Sequence, residues 1–134
     1  MTSLEEHKNS IHQFLEDINE KIRAGQLVER QKIVGFTASE AATNLLEYFL
    51  HKKERIPSGF RVNHNYFASE KRAERYFDFD FEHKKELINL LVKQEEFREL
   101  LCYGKEKKAE KVEEAVHNLT KIKEIISEQL GEDL

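Results

Sequence analysis

The chain of 134 residues contains one cysteine, one proline, five glycines and no tryptophan. A lone Cys102 excludes an intramolecular disulfide and a cysteine-built zinc site. The scarcity of proline and glycine leaves long stretches free of the residues that interrupt helices, which favours an all-α domain. No apolar run approaches the roughly 18 residues that a membrane span needs. The opening MTSLEEHKNS is polar and acidic, unlike a secretory signal. A soluble, cytoplasmic protein with no membrane partner is therefore expected. A phosphate-binding loop, a dinucleotide glycine fingerprint and a serine nucleophile elbow are all missing. A strongly basic balance is missing too. The net charge is −4 and the pI ≈ 5.9, whereas generic polyanion binders usually exceed about 9. Only a local basic patch remains open.

Metal-ligand spacing is absent as well. His7 and His12 stand five apart on a helical segment, not the three or four that share a face. His51, His64, His83 and His117 have no nearby histidine or paired cysteine in the sequence. Most histidines thus read as surface residues, and neither a metal nor a cofactor is expected.

What the chain does have is 39% apolar and 36% charged residues, enough for one core under a well-solvated surface. Residues 1–134 fit a single domain. Leu4, Ile11, Phe14, Leu15, Ile18 and Ile22 recur at helical spacing and predict a helix from about Ser3 to Ala24, closed near Gly25. Residues 25–36 read either as a short helix or as an extended link ending at Gly35. Thr37 with Glu40 three residues on has the form of a capping box opening a second helix. That helix carries Ala38, Ala41, Ala42, Leu45, Leu46 and Phe49 on one stripe and ends near Lys53. A turn at Pro57 and a short helix over about 67–76 follow. The alternating YFDFDF of residues 76–81 has no partner strand and reads as a connection whose phenyl rings plug the bundle. Asp80 would cap the fourth helix, which runs to about Tyr103 and stops at Gly104. Val112, Ala115, Leu119, Ile122 and Ile126 put a narrow, heptad-like seam on the last helix, about 107–129. The expected architecture is all-α: an up-and-down bundle of four long helices plus one short helix.

Two stretches could carry chemistry. Between Lys52 and Arg75, seven basic residues (Lys52, Lys53, Arg55, Arg61, Lys71, Arg72 and Arg75) outnumber the acids Glu54, Glu70 and Glu74. Aromatics concentrate just beyond, seven of the thirteen lying between Phe60 and Phe81. Such interleaving can hold phosphate and stack bases; it can equally be a solvated helix face over an aromatic plug. The second stretch is FRELLCYGK, residues 97–105. There Gly104 suits a left-handed helix stop, and Lys105 complements the negative end of the helix. Arg98 would pair with Glu95, while Cys102 and Tyr103 would pack on the next helix.

AATNLLEYFL in the second helix, followed by a helix ending in FRELLCYGK, resembles the HEPN family (higher eukaryote and prokaryote nucleotide-binding helical bundles) over about residues 37–126. The resemblance implies a dimer. It also implies, for active members, an arginine followed after four to six residues by a histidine, a pair that cleaves RNA without metal. On this chain the arginine falls on Arg98, but Tyr103, Gly104 and Lys105 occupy the three positions open to the histidine. Arg61 is too close to His64 to fit the spacing, while Arg55 is too far from His64 and Arg75 too far from His83. An ordinary tyrosine, with a pKa of about 10, is a poor base near neutrality, whereas histidine titrates there. Arg98 could still grip a phosphate.

The expectation is a non-catalytic HEPN-like bundle, a homodimer, acting as an interaction or nucleotide/RNA-binding module. A protein partner, or RNA or a nucleotide, would be held through Arg98, Tyr103, Lys105, Arg61, His64 and Arg72. One alternative is a metal-independent ribonuclease using Arg98 and Tyr103, with His64 brought in through space. The other is a purely structural assembly protein using the seam of the last helix.

Overall fold

The computed structural model describes residues 3–134. Five helices follow in order, with no strand among the described residues: α1 (Leu4–Arg23), α2 (Gln31–Lys52), α3 (Glu70–Tyr76), α4 (Lys84–Cys102) and α5 (Ala109–Leu130). A 3-10 turn, His64–Phe67, precedes α3. Four long helices and one short helix are thus present, as the periodicity predicts. The arrangement is centred on α2, which packs against α1, α4 and α5, while α1 lies against α2 alone.

The central place of α2 explains why it departs most from its predicted form. It opens at Gln31, six residues before the expected cap, so Thr37 is not an N-cap but a buried mid-helix residue. Gln31 fixes this earlier start: its side chain donates to the carbonyls of Val28 and Lys107 and accepts from the Lys107 N–H. Gly35 does not break the chain. A Cβ there would stand 2.8 Å from Leu101 Cβ, so the glycine lets α4 cross closely. Burial also extends beyond one stripe, to Ser39, Thr43 and Tyr48. The hydroxyl of Thr43 can be buried because it donates to the Glu40 carbonyl.

Smaller differences have equally local causes. Ser3 and Glu6 form the capping box that α1 needs, and Gly25 turns the chain after it at φ 65°. The cap of α4 is His83, in the left-handed region, rather than Asp80. Gly104 does adopt a left-handed φ of 79°, just past the end of α4. The YFDFDF connection plugs the bundle: Phe77 is fully buried and touches the rings of Phe60, Tyr66, Phe67, Phe79 and Phe81. The seam of α5 is spent inside the same chain. Val112, Ala115, Leu119, Ile122 and Ile126 are all buried against the bundle, so it offers no free face for assembly. Buried amides join α4 to α5, where Asn118 donates to Gln94 Oε1 and to the Leu90 carbonyl. No helix among the described residues is long and apolar enough to cross a membrane.

Candidate functional site

Arg98 projects from α4 toward α2, and three groups there hold it. Its Nη1 donates to Glu40 Oε2 at 3.1 Å and to Ser39 Oγ at 3.2 Å. Its guanidinium lies over the Phe36 ring, 4.8 Å from the centroid. Only 12% of the side chain is exposed. The expected partner, Glu95, is engaged elsewhere. Arg98 therefore has its charge balanced and its planar face covered, an arrangement that fixes α4 on α2 and leaves little of the fork for a phosphate.

The other residues of that stretch do not converge on it. Tyr103 lies beyond the helix end, 61% exposed rather than packed on α5. Lys105 is exposed in the following link. Among the described residues no hydrogen bond joins either side chain to Arg98. Cys102 donates its thiol to the Lys32 carbonyl at 3.3 Å, and burial pushes its pKa up, away from a reactive thiolate.

A polar cavity of about 330 Å³ opens beside this contact, at the small end of the range for ligand pockets. Glu40, Asn44 and Glu47, at four- and three-residue steps, put one polar edge on the otherwise buried α2. His7 and Ser10 of α1 face it, and Arg61–His64 close the third side. Hydrogen bonds set the walls. Glu47 Oε1 accepts the Val62 N–H at 2.7 Å. His7 Nε2 lies 2.8 Å from Asn44 Oδ1 and 3.6 Å from Glu47 Oε2. His64 Nδ1 lies 2.7 Å from Glu95 Oε2, which makes Glu95 an orienting group for the imidazole.

His7 is 4% exposed and so is not the surface histidine its sequence suggests. Burial lowers its pKa, partly opposed by the Glu47 charge and the Asn44 hydrogen bond and reinforced by His51 and Arg61. At neutral pH it is therefore an uncharged donor. His7, Glu40, Asn44, Glu47 and Glu95 were all missed as site residues by the sequence reading. The one available signal was the polar set Glu40, Asn44 and Glu47 recurring within an apolar run.

The basic-aromatic stretch divides in two. Lys53 and Arg55 both pair with Glu82, and Lys52 pairs with Glu132. By contrast Arg61, Lys71, Arg72 and Arg75 are exposed and make no ion pair among the described residues. Tyr66 and Tyr76 stack with centroids 3.9 Å apart and planes 13° from parallel. Tyr76 is 41% exposed, and the Arg72 guanidinium sits 5.8 Å from its ring centroid. Of the six binding residues expected from the sequence, Arg61 and His64 share the cavity and Arg72 belongs to this aromatic shelf. Arg98, Tyr103 and Lys105 assemble into neither.

Among the described residues, no three His, Cys, Asp or Glu side chains come together in a way that could hold a metal ion. Compared with protein families, curated proteins and solved structures, the chain matches none of them.

Proposed function

We propose that the chain is a non-catalytic, HEPN-like binding module that holds single-stranded RNA or a nucleotide through residues 61–76 rather than through Arg98. The observation that carries this reading is the set of cations Arg61, Lys71, Arg72 and Arg75, unpaired among the described residues, in the same segment as the Tyr66–Tyr76 stack, whose Tyr76 is exposed and has Arg72 over its ring. A stacked aromatic shelf offers a π-face to any base, and unpaired cations beside it track the backbone phosphates. Glu70 and Glu74 lie on the same short helix, so the patch is modest in net charge and the salt slope of its affinity should be shallow, matching a few phosphate contacts.

Turnover at the FRELLCYGK stretch is disfavoured by the same geometry. Arg98 is neutralised by Glu40, and Tyr103 is exposed with no side-chain hydrogen bond among the described residues. The homodimer implied by the resemblance would use the exposed Ile33 and Phe36 of α2, 46% and 47% exposed, since the α5 seam is buried. Sedimentation of wild type against Phe36→Glu tests that part: the wild type should be a dimer and the variant a folded monomer.

The deciding experiment incubates the protein with end-labelled single-stranded RNA in EDTA and follows anisotropy and strand length together. Binding without cleavage is expected, weakened in Arg72→Ala and Tyr76→Ala. Cleavage that persists in EDTA and disappears in Arg98→Ala would instead establish a metal-independent ribonuclease. Absence of any binding at low salt would reject the RNA reading.

A further inference from the structure

The cavity between α1, α2 and Arg61–His64 holds a charge that the protein itself leaves unanswered. The Glu47 side chain is only 16% exposed, yet its nearest basic neighbour is His7, which is neutral at physiological pH. Its remaining contact is the Val62 N–H on Oε1, so apart from His7 no basic side chain lies within ion-pair distance of Oε2 among the described residues. Oε2 is not among the fully buried atoms without a partner, so it is open to solvent and to a cationic group that takes the place of water. Glu40 lines the same space with its charge already met by Arg98 at Oε2, and its Oε1 accepts no hydrogen bond among the described residues.

The opposite wall has the complementary need. Arg61 is a full positive charge with no acidic partner, placed at the cavity and near enough to His7 to oppose its protonation. His64 donates its Nδ1–H to the buried Glu95, which makes Nε2 of the neutral ring an acceptor with no protein partner among the described residues, and the residue lines the same cavity. One wall thus accepts hydrogen bonds from a cation, and Arg61 on the other donates to an anion, in a space of about 330 Å³.

We infer that this cavity is a binding site for a small zwitterion of the amino-acid type, its ammonium group against Glu47 and its carboxylate against Arg61. A simple cation would meet Arg61 at the rim, and a simple anion would meet Glu47; only a ligand carrying both charges satisfies both walls. The site shares Arg61 with the RNA reading but depends on neither Tyr76 nor Arg72, so it does not rest on that reading.

The test is an NMR titration of the histidine ring signals with glycine and with 4-aminobutyrate, and with ethylammonium and acetate as the two half-ligands. At least one zwitterion should saturate shifts at His7 and His64 together and bind at least about tenfold more tightly than either half-ligand, as expected when two charge-assisted hydrogen-bond sets act at once. Glu47→Gln keeps an acceptor for the Val62 N–H, and Arg61 is exposed, so Glu47→Gln and Arg61→Ala should stay folded. Each should weaken the zwitterion by about tenfold. No saturable shift through the millimolar range would overturn the inference. So would half-ligands that bind as well as the zwitterions, or a Glu47→Gln variant that binds them unchanged. RNA binding measured on wild type, Glu47→Gln and Arg72→Ala reports separately on the aromatic shelf, because Glu47 belongs only to the cavity and Arg72 only to the shelf.

Discussion

Arg98 and Arg72 are the same side chain put to opposite uses. Arg98 reaches across from α4 to Glu40 and Ser39 on α2 and spreads over Phe36, with 12% of its side chain exposed. Arg72 stands on a short surface helix, its only aromatic neighbour the exposed Tyr76 and its charge unpaired. A guanidinium that is already matched and desolvated contributes to stability. One that is hydrated and unmatched is available to a ligand. The position that the HEPN resemblance singles out is the structural one, and the weaker-looking basic-aromatic stretch is the available one.

Breaking the support beneath the available region should have the largest effect. Phe77 is fully buried at the centre of the aromatic plug, and Phe77→Ala should cost about 3–5 kcal/mol, read by chemical denaturation, with RNA affinity lost alongside. Arg98→Ala comes next. It leaves Glu40 without its cation in a half-buried contact and should cost about 1–3 kcal/mol, between exposed and buried pairs, while RNA affinity stays near wild type.

Gly35→Ala sharpens the same contact between α2 and α4. The added methyl would meet Leu101 Cβ at 2.8 Å, and a net loss of about 1–2 kcal/mol is expected after the gain in helix propensity, measured as a lower denaturation midpoint. On the other side of the comparison, Arg72→Ala should change stability by less than about 0.5 kcal/mol. It should nevertheless reduce the salt dependence of RNA binding by about one phosphate contact.

The smallest effect is a pH slope. His7 in the fold takes up a proton less readily than in the unfolded chain, where its pKa is the ordinary 6.5. As pH falls below that value the unfolded state binds more protons, so stability declines; above it the two states do not differ and the effect vanishes. Melting temperature should therefore drop on acidification through about pH 6, and less so in His7→Gln.

The fold was largely legible because its signals are local. The stripe of Ile11 and Ile18, the seam of α5 and the ring-rich connection ending at Phe81 each report burial through spacing of a few residues. The start of α2 was not. Gly35 has the same letter whether it ends a link or admits a neighbouring helix, and only the approach of Leu101 distinguishes the two. Thr37 followed by Glu40 satisfies a capping pattern without being at a helix end, because Gln31 anchors the true start to Lys107, 76 residues away. The cavity depends even more on distant pairing. His64 meets Glu95 across 31 positions, His7 meets Asn44 across 37 and Arg98 meets Glu40 across 58. Residue types alone singled out Arg61, His64, Arg72 and Arg98 alike, but could not tell a paired arginine from a free one.

That distinction is measured most directly by one salt titration of labelled single-stranded RNA, followed by anisotropy, on wild type, Arg98→Ala and Arg72→Ala side by side. Wild type and Arg98→Ala should share one salt slope and nearly one affinity, with Arg72→Ala weaker and shallower. Loss of binding in Arg98→Ala at unchanged fold, with Arg72→Ala unaffected, would contradict the account and return the binding site to the end of α4.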